Sequence, residues 1–316
     1  MQAIKISSGK DLLKTSTKND DPTPRMVFGK FIYENELSIL FGDSNAGKTV
    51  LANEIGFFVS GGGCTKDLVS LQIPTLYIDL ELTAQQFASR YHNAGDYIPD
   101  TFTRAEINMS AFDDDESAFN AIKNQIVLMQ GQKNPPKFII IDNITNGFGS
   151  IMSASQMRGL MTDLKTLKDR WGLTILLIAH CPKRRKNTPI EQDSLGGSKM
   201  IINFADSAFA IANTVHDENI KYLKQIKVRT GQKSQDVVTM LLTDEPYLTF
   251  RAMGTETEAA CIDPKCMIDF TTLITTEQEI KMLNMLVEGT HRYYEIADEC
   301  GIPLTAVIQY KNKNRL

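Results

Sequence analysis

The run Gly42-Asp43-Ser44-Asn45-Ala46-Gly47-Lys48-Thr49 constrains the fold more than any other stretch of the chain. It reads G-x-x-x-x-G-K-T. Its glycines allow a tight wrap in which backbone N–H groups point inward at an anion. The apolar segment Leu37 to Phe41 leads into it. A second, Val50 to Val59, leads out and stops at Gly61-Gly62-Gly63, a helix-ending signal. The context is therefore strand, loop, helix. A helix beginning near Lys48 aims the positive end of its dipole at the same anion. The pattern predicts that Lys48 reaches the β- and γ-phosphates of ATP and that the Thr49 hydroxyl binds Mg2+.

The same alternation continues downstream. Thr75 to Leu80, Phe138 to Ile141 and Leu173 to Ala179 read as buried strands. Thr83 to His92, Asp113 to Met129 and Ser153 to Arg170 read as helices, the second with acids at the end that the dipole favours. Strands separated by helices form βαβ units, so an α/β fold with a parallel sheet covered on both faces is expected. Ala205 to Ala212, Tyr222 to Val228 and Val237 to Leu242 look like further strands, the last two joined across Thr230-Gly231-Gln232. The organisation expected is a flexible arm over 1–25, a nucleotide-binding domain over 26–250, a linker over 251–272 and a small helical domain over 273–316.

Composition narrows the function classes. With 34 basic against 38 acidic residues the net charge is −4, so contact with nucleic acid must be local. No apolar run reaches the roughly 18 residues that a membrane span needs. The polar N-terminus lacks a secretory signal, and five cysteines without regular spacing suit a reducing, cytoplasmic setting. Cys261 and Cys266 are a close pair that Cys300 and His291 can join as metal ligands; unlinked thiols are the plainer reading, because zinc knuckles space their cysteines more tightly.

Hydrolysis needs carboxylates beside the loop. Phe138-Ile139-Ile140-Ile141-Asp142 is an apolar strand ending in an acid, which places Asp142 to hold the metal. A base for the attacking water is also needed. Position 143 is Asn, so the base comes from elsewhere. Tyr77-Ile78-Asp79-Leu80-Glu81 supplies one, with Glu81 the first choice and Asp79 the spare.

Over residues 26–245 this arrangement resembles the RecA-like ATPases, above all the DnaB-type helicases and the plasmid replicative helicase RepA group. In that resemblance the base follows the second strand, as Glu81 does, and Pro24 to Leu37 is the lead-in strand. Ile178-Ala179-His180 is similar to the strand end whose polar residue senses the γ-phosphate. Ser194 to Lys199 followed by Asn203 to Asp206 resembles the "G-G-S … A-D" stretch of the RepA group. Lys227-Val228-Arg229 resembles a K-x-R pair that reaches a neighbouring subunit's ATP. Alternation on one strand would turn Lys227 and Arg229 to the same side. The resemblance implies a homo-oligomer, a six-membered ring or a filament, with catalytic roles for Lys48, Glu81, His180, Lys227 and Arg229.

Two segments are candidates for single-stranded DNA. Lys183-Arg184-Arg185-Lys186 lies on the long segment Cys181 to Ser198, where loop length itself suggests function. In RecA-like motors the matching loop lines the pore, and Gly147 to Ser155 is a possible companion. At the C-terminus, Thr276-Glu277-Gln278-Glu279 reads as a capping box. Beyond it, Tyr294 to Cys300, a turn at Gly301-Ile302-Pro303, and Leu304 to Asn314 resemble a helix-turn-helix. Its last helix offers Gln309, Lys311, Asn312, Lys313 and Arg315 to phosphates and base edges. A solvated basic loop and a protein-docking helical module are the alternatives. The expected function is a ring-forming replicative or mobilisation helicase, against a regulatory ATPase switch or a helicase loader.

Overall fold

A computed structural model of the chain describes residues 8, 25–63, 71–144, 154–182, 187–195, 199–263, 271, 274–302 and 304–314. Its centre is one nine-stranded sheet. In chain order the strands are β3 (Leu37–Gly42), β4 (Thr75–Asp79), β5 (Phe102–Glu106), β6 (Phe138–Asp142), β7 (Thr174–His180), β8 (Ser207–Asn213), β9 (Ile220–Lys227), β10 (Val237–Thr243) and β11 (Thr249–Glu256). Their spatial order is β11-β10-β9-β8-β3-β7-β6-β4-β5. Pairings from β8 across to β5 are parallel; those among β8, β9, β10 and β11 are antiparallel. β1 (Met26–Phe28) and β2 (Ile32–Tyr33) form a separate small hairpin. The expected lead-in strand is therefore two short strands, and Val27, Phe28, Phe31 and Ile32 pack it onto the core.

Helices α1 (Lys48–Gly61), α2 (Ala84–Arg90), α3 (Asp115–Met129), α4 (Ala154–Trp171) and α5 (Lys199–Phe204) cover the sheet. The central strands explain how. Side chains alternate between faces with a period of two. Ile39 and Phe41, Leu76 and Ile78, Ile139 and Ile141, and Ile175 and Leu177 belong to one apolar cluster with residues of α3, α4 and α5. Leu40, Tyr77, Phe138, Ile140, Leu176 and Ile178 belong to the opposite cluster, with α1. Each fully buried aliphatic side chain contributes about 1.5–3 kcal/mol, so both faces are strongly specified. The same parity puts Tyr77, Asp142 and His180 on the α1 face.

The C-terminal part departs from expectation in two ways. Residues 251–256, expected in the linker, form most of edge strand β11, and α6 (Glu258–Ile262) follows. The segment hid because an edge strand is paired on one side only, and its residues are mostly half-exposed. The helix α7 (Thr276–Glu288) is capped by Thr275, not Thr276, with Gln278 closing the box. Helices α7, α8 (Tyr293–Cys300) and α9 (Leu304–Asn314) gather around a core of their own. Their core of Met282, Met285, Ile296, Ala297 and Val307 also takes in Ile220 of β9. Gly301 makes the α8–α9 turn as expected, with φ 61°, a left-handed backbone that glycine adopts without strain. No helix among the described residues is long and apolar enough to cross a membrane.

Candidate functional site

The loop after β3 is built for close approach. A Cβ at Gly42 would sit 2.2 Å from the Ile211 carbonyl oxygen of β8, so only glycine fits there. Gly47, with φ 88°, is the N-cap of α1 and has no capping side chain, which leaves the first-turn amides open to an anion. The Phe250 ring of β11 lies against Gly47. Ser44 and Asn45 are exposed at the loop tip, and Ala46 is buried.

Lys48 is 5 % exposed, and its Nζ donates to the carbonyl oxygens of Gly42 at 3.0 Å and Asp43 at 2.8 Å. Burial lowers its pKa; the neighbouring Cys181, Asp142, Glu81 and Asp43 oppose the shift. The ammonium is thus folded onto the loop it would otherwise offer to phosphate oxygens.

Asp142 ends β6 fully buried. Its Oδ2 accepts from the Tyr77 hydroxyl at 2.6 Å, while Oδ1 has no hydrogen-bond partner among the described residues. Burial pushes the carboxyl up to about 7, with Glu81 and Asp79 adding to the rise while the Tyr77 and Thr49 hydroxyls oppose it. A buried carboxylate oxygen without a donor among the described residues, beside a threonine hydroxyl, matches the hard oxygen donors that Mg2+ takes. Thr49 and Asp142 therefore fit the expected metal.

Glu81 follows β4 directly. The Thr49 hydroxyl points to its Oε2 at 3.4 Å, and the Asn143 amide nitrogen lies 2.5 Å from its Oε1. His180, ending β7, places Nε2 3.2 Å from the same Oε1. Lys48, Thr49, Glu81, Asp142 and His180 thus lie together at the ends of β3, β4, β6 and β7. Asp79 is not part of the site. Its Oδ1 accepts from the backbone N–H groups of Glu81 and Leu82, and its Oδ2 from Arg104. Both oxygens are thus engaged in bracing the turn that carries Glu81, which makes Asp79 a support and not the spare base.

Lys227 and Arg229 lie elsewhere. β9 ends at Lys227, so Arg229 is past the strand and simple alternation does not apply. Lys227 Nζ donates to the carbonyls of Ile202 and Ala205 at 2.8 Å each, and Arg229 pairs with Asp206. Asp206 also accepts the Leu37 N–H, which fixes this cluster at the start of β3. The phosphate loop begins at its other end, ~17 Å away at the usual rise of a strand. The pair is out of reach of the chain's own loop.

Of the expected DNA contacts, Lys183, Arg184, Arg185 and Lys186 lie outside the described residues, as do Gly147, Gly196 to Ser198, Cys266 and Arg315. Lys311 stacks over the Tyr293 ring at 4.8 Å. Lys313 and the half-exposed Gln309 share α9 with it. No group of metal-binding side chains that includes Cys261 is formed among the described residues.

Sequence reasoning missed Tyr77 and Asn143 as members of the site. A tyrosine in mid-strand needs a hydroxyl partner, and its parity with Asp142 was the available signal. Asn143 was read only as a missing acid.

No curated protein matches this chain. The AAA domain family matches residues 9–186, more than half of the chain. That span contains the glycine-bracketed loop, Glu81, Asp142 and His180, and it stops short of Lys227 and Arg229. The loop geometry and the family match agree, and the chain belongs to the AAA domain family of P-loop ATPases.

Proposed function

We propose that the chain hydrolyses Mg·ATP with Glu81 as general base, and that it does so as an oligomeric, DNA-dependent motor of the replicative or mobilisation helicase type. The observation that carries the hydrolytic reading is the Glu81 carboxylate, 3.4 Å from the Thr49 hydroxyl and next to buried Asp142. The loop amides and Lys48 hold the β- and γ-phosphates. Mg2+, held by Thr49 and Asp142, would neutralise phosphate charge when bound. Glu81 takes a proton from a water whose oxygen bonds to the γ-phosphorus. The bond from that phosphorus to the β–γ bridging oxygen breaks, and ADP leaves with the electron pair, giving ADP and phosphate.

The separation of Lys227 and Arg229 from the chain's own loop supports their use on a neighbour's nucleotide, where fixed cations stabilise the transferred phosphoryl group. The segment Cys181 to Ser198, attached directly to His180, would carry the nucleotide state to single-stranded DNA through Lys183 to Lys186. Gln309, Lys311 and Lys313 would recruit the assembly to DNA. Turnover measured with and without single-stranded DNA tests this reading. Stimulation that falls steeply with salt supports the motor. Turnover indifferent to DNA sinks it in favour of a nucleotide-controlled switch, and stimulation without directional unwinding favours a loader.

A further inference from the structure

We infer that Asn143 is a positioning residue for hydrolysis, anchoring one oxygen of Glu81 and tying it to His180, and so fixing the direction of the carboxylate that acts on the attacking water. The inference rests on the reading of Glu81 as the base. Asn143 is 1 % exposed and follows Asp142 directly. Its amide nitrogen lies 2.5 Å from Glu81 Oε1 and 2.6 Å from His180 Nε2. A carboxamide carries two N–H donors. They lie between a carboxylate oxygen from β4's end and a ring nitrogen from β7's end.

The two oxygens of Glu81 are therefore not equivalent. Oε1 is held by Asn143 at 2.5 Å, with His180 beside it. Oε2 lies 3.4 Å from the Thr49 hydroxyl, a group the metal would claim. With Thr49 engaged by the metal, the Asn143 bond would still hold Oε1. A glutamate has three side-chain torsions to fix, and a buried amide at hydrogen-bond distance fixes the last of them. An acid at position 143 would instead set two carboxylates against each other. The residue type thus answers a need that the sequence alone leaves open: why the acid after Asp142 is replaced by its amide.

The test is a mutant cycle on the full chain, with turnover and Mg·ATP affinity read separately. Asn143→Ala should lower kcat by about 10–100-fold, as expected for a misplaced reacting group. Its Kd for Mg·ATP should stay within about threefold of wild type, because no phosphate contact is lost. Asn143→Asp keeps the shape and removes the donors, so it should lose at least as much turnover; it also serves if the alanine variant folds poorly. In a Glu81→Gln background, Asn143→Ala should cost nothing further, since it acts through Glu81. Wild-type turnover by both single variants at position 143, or an equal loss in the Glu81→Gln background, overturns the inference while leaving Glu81 as base. Wild-type turnover by Glu81→Gln removes the base itself and the inference with it.

Discussion

Arg104 donates twice to one oxygen of Asp79, through Nε at 3.0 Å and Nη2 at 2.9 Å. The pair is well buried, with Asp79 fully enclosed and Arg104 13 % exposed. Removing one partner of such a pair leaves a buried charge uncompensated and costs about 3–5 kcal/mol. Arg104→Ala should therefore lower unfolding stability by that amount in a denaturant titration. It should also slow turnover, because the same aspartate holds the N–H groups of Glu81 and Leu82. Full stability would show that the pair does not brace the turn.

Lys48→Ala should abolish nucleotide-induced stabilisation. Each charged hydrogen bond to phosphate contributes about 1.5–3 kcal/mol. Wild type should melt higher as Mg·ATP is added, following mass action, and the variant should not. A normal thermal shift in the variant would remove the central claim about the loop.

Glu54 gives a pH-dependent expectation. Its carboxyl accepts from Thr249 at 2.5 Å and Tyr247 at 3.2 Å, and burial raises its pKa. A carboxyl with a raised folded value holds its proton more tightly when folded. Its burial is therefore cheapest below the unfolded value of about 4.3, and stability is lost as pH rises through the folded value. Glu54→Gln, which cannot ionise, should lack this decline. Melting temperatures of both proteins from about pH 4 to neutrality should diverge, with the variant ahead at the upper end. Parallel curves would show that Glu54 does not titrate in this way.

Arg229→Ala should hydrolyse slowly alone and regain part of its activity when mixed with Lys48→Ala chains. The first variant keeps its own phosphate loop and the second keeps its cations, so a mixed assembly contains some complete sites. Turnover measured across mixing ratios checks this. Absence of rescue at every ratio would argue that no site is shared between copies.

Much of the site was legible because it follows local rules. The loop needs glycines and one lysine in fixed order, and Asp142 and His180 end strands whose apolar runs are plain. Other features depend on partners far away in sequence. Asp79 reads as a spare base, and Arg104 carries no signal of its own, until β5 pairs with β4 and sets the two diagonally on one face. β5 itself, partly exposed along its length, gave no apolar run to notice. Arg229 looked like a strand residue because the end of β9 is set by its pairing with β8, not by its own composition. β11 vanished into an assumed linker for the same reason.

The phosphate loop is walled by residues that come long after it in the chain. Gly42 backs onto Ile211, and Gly47 onto Phe250. A fragment cut to the residues that match the family would carry the loop, Glu81, Asp142 and His180 and lack both walls. Such a piece should be a poor guide to the affinity of the whole, because the shape of its anion cradle is lent by strands it no longer has.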